Sequence, residues 1–223
     1  MATRELLAEL AALDRGAGAA TIRCEASGGI DAIRRIQSGE ILDIVVLADK
    51  AIEKLITEGR LRSGSRVDLV QSGIAIAVRA GAERPDVSSE TALRNTVLNA
   101  ASLGYSTGPS GVYLEKLFAR WGIFGQVKPR IVVPPPGVPV GSLVAAGQCA
   151  LGFQQLSELI SLPGIDVVGP LPASVQLMTI FSGAIAATST HAAAAGAVLD
   201  FFAAPRHVMI RRKFGMEAAP EAH

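Results

Sequence analysis

Two segments of this 223-residue chain put hydroxyls and glycines where a strand should give way to a helix: Glu25-Ala26-Ser27-Gly28-Gly29-Ile30 and Tyr105-Ser106-Thr107-Gly108-Pro109-Ser110-Gly111-Val112. At such a junction the first helical N–H groups have no intrahelical acceptor, and the peptide dipoles add partial positive charge. Glycine lets a ligand approach the backbone closely, and serine or threonine hydroxyls add donors. An anion held by two such turns needs no lysine or arginine. Ser27, Gly28 and Gly29 from the first turn, and Ser106, Thr107, Ser110 and Gly111 from the second, are therefore the candidate ligand-binding residues. Either turn alone reads equally well as a helix cap, because serine is a favoured N-cap. Their pairing in one chain is what points to an anion site.

A different chemistry competes for the second turn. Gly104-Tyr105-Ser106-Thr107-Gly108 fits the G-x-S-x-G nucleophile elbow, and Asp166 and His191 follow in hydrolase order. His191 would take the Ser106 proton while Asp166 orients the ring. Against this, Thr107-Gly108-Pro109 keeps the backbone extended to Ser110, whereas an elbow starts its helix at the nucleophile. A serine hydrolase is accordingly the third reading. Phosphate-binding loops are absent: there is no GxxxxGK[ST], and Gly16-Ala17-Gly18 lacks a third glycine, with Thr21 in its place. ATP, GTP and NAD are thus disfavoured, and no cofactor is expected. The histidines at 191, 207 and 223 make no metal-ligand spacing with Cys24, Cys149 or the carboxylates, so no metal is expected either. The two cysteines read as small buried hydrophobes, with a single disulfide left open. Simple structural roles suit the remaining polar residues: Asp49 as a helix cap, Asp43 as a partner for a backbone N–H, His191 as a capping or surface residue, and Arg206, Arg211, Arg212 and Lys213 as a solvated helix face.

Lysine and arginine total 21 against 20 aspartate and glutamate, a formal net charge of +1, with 49% hydrophobic residues, 18% charged residues and a mean hydropathy of +0.37. Such a chain has the apolar content to fold, and it lacks the basic excess that phosphate backbones require, which argues against nucleic acid. Val167 to Leu199 contains no charged side chain, but Gly169, Pro170, Pro172, Ser174 and Gln176 interrupt it, so no membrane insertion is expected. The first ten residues carry Glu5 and Glu9 where a signal peptide would be apolar. As written the chain reads as cytoplasmic, or as periplasmic with its leader removed or its start truncated.

The elements that must position these turns alternate. Helices are predicted over Arg4–Leu13, from the Ser27-Gly28-Gly29 turn to Gln37, over Lys50–Glu58, from Ser88-Ser89-Glu90 through Leu98, and over Ser110–Trp121, Val140–Ala146, Thr190–Ala203 and Pro205–Phe214, with helical turns in Gln154–Ile160. Strands are predicted over Thr21–Glu25, Asp43–Leu47, Arg66–Val78 (one strand, or two broken at Gly73), Ser102–Tyr105, Arg130–Val133, Ala150–Phe153, Asp166–Gly169 and Val175–Ala187, followed by a frayed tail from Glu217. This is an α/β pattern, read as mainly parallel sheet. If the two longest strands cross between lobes, residues 1–77 plus 183–223 form lobe one and residues 78–182 form an inserted lobe two.

The order of motifs resembles a known family. Ala26-Ser27-Gly28-Gly29, then Ile41-Leu42-Asp43-Ile44-Val45-Val46-Leu47-Ala48-Asp49, then Ala145-Ala146-Gly147-Gln148-Cys149-Ala150-Leu151-Gly152-Phe153, and the closing helix with Ala197–Phe202 are similar to the molybdate-binding-protein branch of the periplasmic type 2 solute-binding superfamily. The resemblance implies a two-lobe α/β clamp that holds a small anion at helix N-termini in an inter-lobe cleft, with an ABC transporter as partner. It assigns Ser27 as the first-lobe ligand, and the Ser106–Gly111 turn with the Val138 backbone amide as second-lobe donors. The tyrosine that donates to molybdate in that branch falls here at Gln155. An amide both donates and accepts, which suits an organic carboxylate better than a metal oxyanion. The family's first strand and its serine turn would precede Arg4 and are missing from the sequence, so the expectation is either a truncated start or a lobe completed by a partner chain, as in a homodimer. Relatives of this fold resembling aconitate isomerase shift a double bond in a tricarboxylate, and that alternative needs a general base, for which Glu158 and Asp43 are the candidates.

Overall fold

A computed structural model describes residues 2–13, 21–135 and 137–220. The chain divides into two compact units, Met1–Gln71 with Thr179–His223, and Ser72–Met178. In the first unit, α1 (Arg4–Ala12) buries Leu6 and Leu10 against Leu199 and Phe202. The strand predicted at Thr21–Glu25 does not form: residues 21–28 have no regular structure, and Thr21, Arg23, Cys24 and Glu25 are all exposed. Only Ile22 of that run packs on a core, so there is no alternating apolar face for a sheet to bury. The glycine-rich turn at Gly16 and Gly18 lies outside the described residues. Next come α2 (Gly29–Gln37), β1 (Ile44–Ala48) and α3 (Asp49–Thr57), which close a second small core around Ile52 and Leu55. Asp49 is the first residue of α3 rather than its cap, the cap position being Ala48. Its charge still complements the dipole in the first turn. The following strand, β2 (Val67–Arg79), runs unbroken through Gly73 and carries the chain into the second unit.

The second unit contains α4 (Glu90–Asn99), β3 (Leu103–Tyr105), α5 (Pro109–Arg120), α6 (Phe124–Val127), β4 (Ile131–Val132), α7 (Val140–Ala145), β5 (Leu151–Gln155), α8 (Leu156–Leu159) and β6 (Ile165–Pro170). Ser89 caps α4, its hydroxyl accepting the Ala92 N–H at 3.1 Å. β3 lies between β4 and β5 and is parallel to both, while β2 runs antiparallel to β5 and to β6. The core gathers Ile74, Ile76, Leu103, Leu114, Phe118 and Phe153 between sheet and helices.

The chain then returns through β7 (Met178–Ile185) to α9 (Ala192–Ala203), α10 (Val208–Lys213) and β8 (Glu217–Ala218). β1 pairs with β7 and β8 with β2, both antiparallel, so the predicted mainly parallel sheet is in fact mixed. The reason is connectivity. Parallel neighbours need crossover helices, which β3, β4 and β5 have, whereas β2 and β7 carry the chain between units and run against their neighbours. The tail is anchored rather than frayed at its start, Glu217 and Ala218 pairing with Gln71 and Val70. The charge-free run from Val167 is spread over β6, β7 and α9, and no single described helix is long and apolar enough to cross a membrane.

Two further expectations are corrected. Cys24 is exposed and only Cys149 is buried; both are free thiols. Arg211 is not on a solvated face: it is 1% exposed, and its Nη2 donates to the carbonyls of Phe202, Ala203 and Ala204 at 3.1, 2.6 and 3.0 Å. It thereby caps the Phe202 and Ala203 carbonyls at the end of α9 and joins the His207 N–H on the Ala204 carbonyl.

Candidate functional site

In the second unit the parallel strands β4, β3 and β5 end at one edge of the sheet, with Tyr105 opposite Phe153, and Gly104 opposite both Val132 and Gly152. Each strand gives way there to a helix, and this carboxyl edge is where open α/β sheets bind ligands. Register therefore gathers the turn after β3, the start of α7 and the end of β5 into one strip.

The turn after β3 is built by local sequence. Gly108 is the N-cap of α5 and Pro109 its first residue, where a missing N–H costs nothing. The Ser106 hydroxyl accepts the Gly108 N–H at 3.4 Å, Thr107 is exposed, and Ser110 is buried in the first helical turn. Gly111 permits the closest approach in the turn: a Cβ there would lie 1.6 Å from the Ser106 carbonyl oxygen and 3.0 Å from the Tyr105 ring. Sequence reasoning missed a second pair of glycines. Gly104 and Gly152 face each other across β3 and β5, and added Cβ atoms would come 2.6 Å from Cys149 Sγ and 2.5 Å from Val144 Cγ2. The pair forms the seat on which α7 rests.

Two buried glutamines end β5. Gln154 Oε1 accepts the Val140 N–H at 2.9 Å, fixing the first residue of α7, and Gln154 Nε2 donates to Glu158 Oε2 at 2.6 Å. Gln155, the position matched to the family's tyrosine, is 4% exposed. The Val138 amide donates to the Pro135 carbonyl at 3.1 Å, so the proline-rich turn already uses the N–H that the resemblance offers to an anion. Just beyond, the Ser157 N–H reaches Ser72 Oγ at 3.4 Å, and the Ser157 hydroxyl is buried with no hydrogen-bond partner among the described residues. Burial is the largest influence on the half-buried Glu158 carboxyl and pushes it up, the Gln154 amide being the smallest of the pulls against it. Glu40, Asp43, Glu53, Asp68, Asp86 and Glu90 are all held down instead.

In the first unit Ser27 is partly buried just before α2, whose N-cap is Gly28, and the space where Cβ atoms of Gly28 and Gly29 would lie is open. Asp43 meets a backbone N–H through its main-chain carbonyl, which accepts the Ala186 N–H at 3.0 Å, while its carboxylate turns to side chains. Its Oδ1 accepts the Ser189 hydroxyl at 2.6 Å and lies 3.3 Å from His191 Nδ1, and Ser189 Oγ accepts the His191 N–H at 3.1 Å. The Ser189 hydrogen bond is the main reason that the Asp43 carboxyl lies below its ordinary value.

These contacts do not supply the Asp166–His191 pair of the hydrolase reading. His191, the N-cap residue of α9 in the first unit, is held by Asp43, whereas Asp166 in the second unit accepts the Gly81 N–H at 3.0 Å. α5 begins at Pro109, three residues beyond Ser106, so the strand–nucleophile–helix junction of an elbow is absent. No group of three or more histidine, cysteine, aspartate or glutamate side chains among the described residues could hold a metal ion.

A two-unit α/β chain whose helices open at the carboxyl edge of a sheet, with donors clustered there, has the construction of a solute-binding protein. The bacterial extracellular solute-binding protein family matches residues 1–217, and the chain belongs to that family. Among characterised relatives, it is 42% identical over 189 residues to an aconitate isomerase from Pseudomonas sp, covering 83% of this chain and 71% of that protein. Its fold matches the periplasmic molybdate-binding protein of Azotobacter vinelandii with a TM-score of 0.75 at 22% identity, covering 98% of this chain and 96% of that one. The sulfate-binding protein SubI of Mycobacterium tuberculosis matches at a TM-score of 0.71 and 18% identity, covering 96% and 82%. The α/β solute-binding fold expected from the sequence is therefore the fold of this chain.

Proposed function

We propose that the protein binds a small organic carboxylate through the donors of the α5 turn (Ser106, Thr107, Ser110, Gly111) and the amide of Gln155, with Ser27, Gly28 and Gly29 offering donors of the same kind in the first unit. The observation that carries this reading is the carboxyl edge of the neighbouring strands β3 and β5, the first followed by a helix start with a buried serine and the second ending in two buried glutamines. Membership of a solute-binding family supports it. Amides that donate and accept suit ionised and protonated oxygens of an organic acid together, whereas a tetrahedral oxyanion calls for donors alone. In this reading the protein works in the periplasm and passes its ligand to an ABC transporter. A thermal-shift screen with molybdate, sulfate, phosphate and di- and tricarboxylates tests it. A carboxylate at a hundred times its Kd should stabilise the fold by about 2.7 kcal/mol. Stabilisation by inorganic oxyanions alone refutes the carboxylate assignment, and stabilisation by neutral compounds alone refutes anion binding.

A second reading, isomerisation of an unsaturated di- or tricarboxylic acid, is favoured by the relative named aconitate isomerase, which aligns with 83% of the chain. Moving a double bond requires a base at a C–H next to the unsaturation and donors for the enolate-like charge that develops. It needs no transporter. Deuterium entering a carbon-bound position of a tightly bound acid in D₂O distinguishes it from binding alone.

A further inference from the structure

We propose that Glu158 is the residue that carries the migrating proton, that Gln154 positions it, and that the Ser157 hydroxyl donates to the carboxylate on which charge develops; this rests on the isomerase reading. The first support is placement. Glu158 and Ser157 follow β5 directly, on the edge of the sheet that also carries the α5 turn.

The second support is the way Gln154 is pinned. Its Oε1 accepts the Val140 N–H, so its amide cannot turn over without setting two donors against each other, and its Nε2 must face Glu158. Glu158 is thus held by a neutral donor, whereas Glu40 and Glu53 are bound by arginines. A neutral donor lowers a carboxylate's basicity less than an arginine does, and burial here raises it. Among the described residues, the elements packed on α8 add little charge. β5 carries no titratable side chain; on β6, Asp166 accepts the Gly81 N–H; on β2, Asp68 is tied to Arg66 and Ser182, and Arg79 is exposed.

The third support is Ser157 itself. A buried hydroxyl without a partner is uncommon, and a ligand oxygen would complete it.

The step balances without any co-reactant. The Glu158 carboxylate removes a proton from the saturated carbon beside the C=C of the acid. The C–H electron pair becomes the new C=C, and the old π pair moves to the far carbon, delocalised as an enolate onto the adjoining carboxylate. Protonated Glu158 then delivers its proton to that far carbon, which restores the carboxylate and leaves the double bond one position along.

The test uses the full chain with cis- and trans-aconitate as probes in D₂O, followed by proton NMR, with calorimetric affinities and Tm alongside. The wild type should interconvert the probes and incorporate deuterium. Glu158→Gln should keep its Tm and bind aconitate within about tenfold of wild type, while conversion and exchange fall by about 10²–10⁴-fold. If the wild type neither converts nor exchanges the probes, the isomerase reading fails and this assignment with it. If the wild type converts and Glu158→Gln converts equally well, the assignment alone is overturned. Parallel loss of affinity and turnover at unchanged Tm also overturns it, in favour of a binding role. Should Glu158→Gln not fold, Gln154→Met decides. Removing a donor to the charged carboxylate should move the acid limb of kcat/KM to higher pH, and an unmoved limb overturns the proposal.

Discussion

Replacing Gly111 by alanine inverts an ordinary expectation. In most helices the change is stabilising by about 1 kcal/mol, because alanine loses less backbone freedom on folding. Here the new Cβ would sit 1.6 Å from the Ser106 carbonyl oxygen and 2.9 Å from its carbonyl carbon. Both are backbone atoms, and real Cβ contacts essentially never fall below 3.0 Å, so the turn must yield by more than an ångström. It cannot do so freely. Tyr105, just before it, is 2% exposed and in register with Phe153. Overpacking of this kind costs about 1–3 kcal/mol, which for a chain of this size lowers Tm by about 3–9 °C. The donors of the α5 turn move with the backbone, and misplacement by about 1 Å in a tuned site can cost on the order of 10²-fold, here read as lost affinity for the best carboxylate of the screen. Gly196→Ala in α9 is the control, since nothing lies within 4 Å of its Cβ position. That variant should hold or raise Tm and leave affinity unchanged. Differential scanning fluorimetry and calorimetric titration of both variants make the comparison. If Gly111→Ala matches Gly196→Ala in both, the Ser106 carbonyl does not lie where described and the geometry of the turn is wrong.

Two further outcomes are expected. Arg211→Met leaves the carbonyls of Phe202, Ala203 and Ala204 without their shared donor and should cost about 2–4 kcal/mol in urea unfolding; a loss below about 0.5 kcal/mol refutes the capping role. Ser189→Ala removes the hydrogen bond that chiefly holds the Asp43 carboxyl below its ordinary value. A depressed folded pKa stabilises above the unfolded value and is lost as pH falls through the folded one, so the variant should be less stable than wild type near neutrality and the gap should narrow in acid to what the lost His191 N–H bond leaves. A stability difference independent of pH down to about 2 contradicts that role.

The turns were legible because their information is local. The hydroxyl- and glycine-rich run after Tyr105 announces a helix start, although α5 opens at Pro109 rather than at Ser110; Ser88-Ser89-Glu90 announces another; and the alternation of short β-branched runs with amphipathic stretches announces an α/β chain. The same letters carry no sign of strand direction, which is why the mixed sheet was misread: β2 and β7 run against their neighbours because they link two units, a fact of connectivity rather than of periodicity. Thr21–Glu25 has strand-like residues but no partner to bury them, so it stays irregular. Contacts between residues far apart in sequence were equally out of reach. Arg211 sits among basic neighbours that look alike on paper, and only the end of α9 singles it out by supplying carbonyls. Gln154 reads as one polar residue among several until folding sets the Val140 amide on one end of its side chain and Glu158 on the other. Composition and local pattern thus determined the class of fold and the turns that could hold an anion. Tertiary structure alone decided which polar side chains lost their water, and with it which carboxyl became basic and which arginine became a cap.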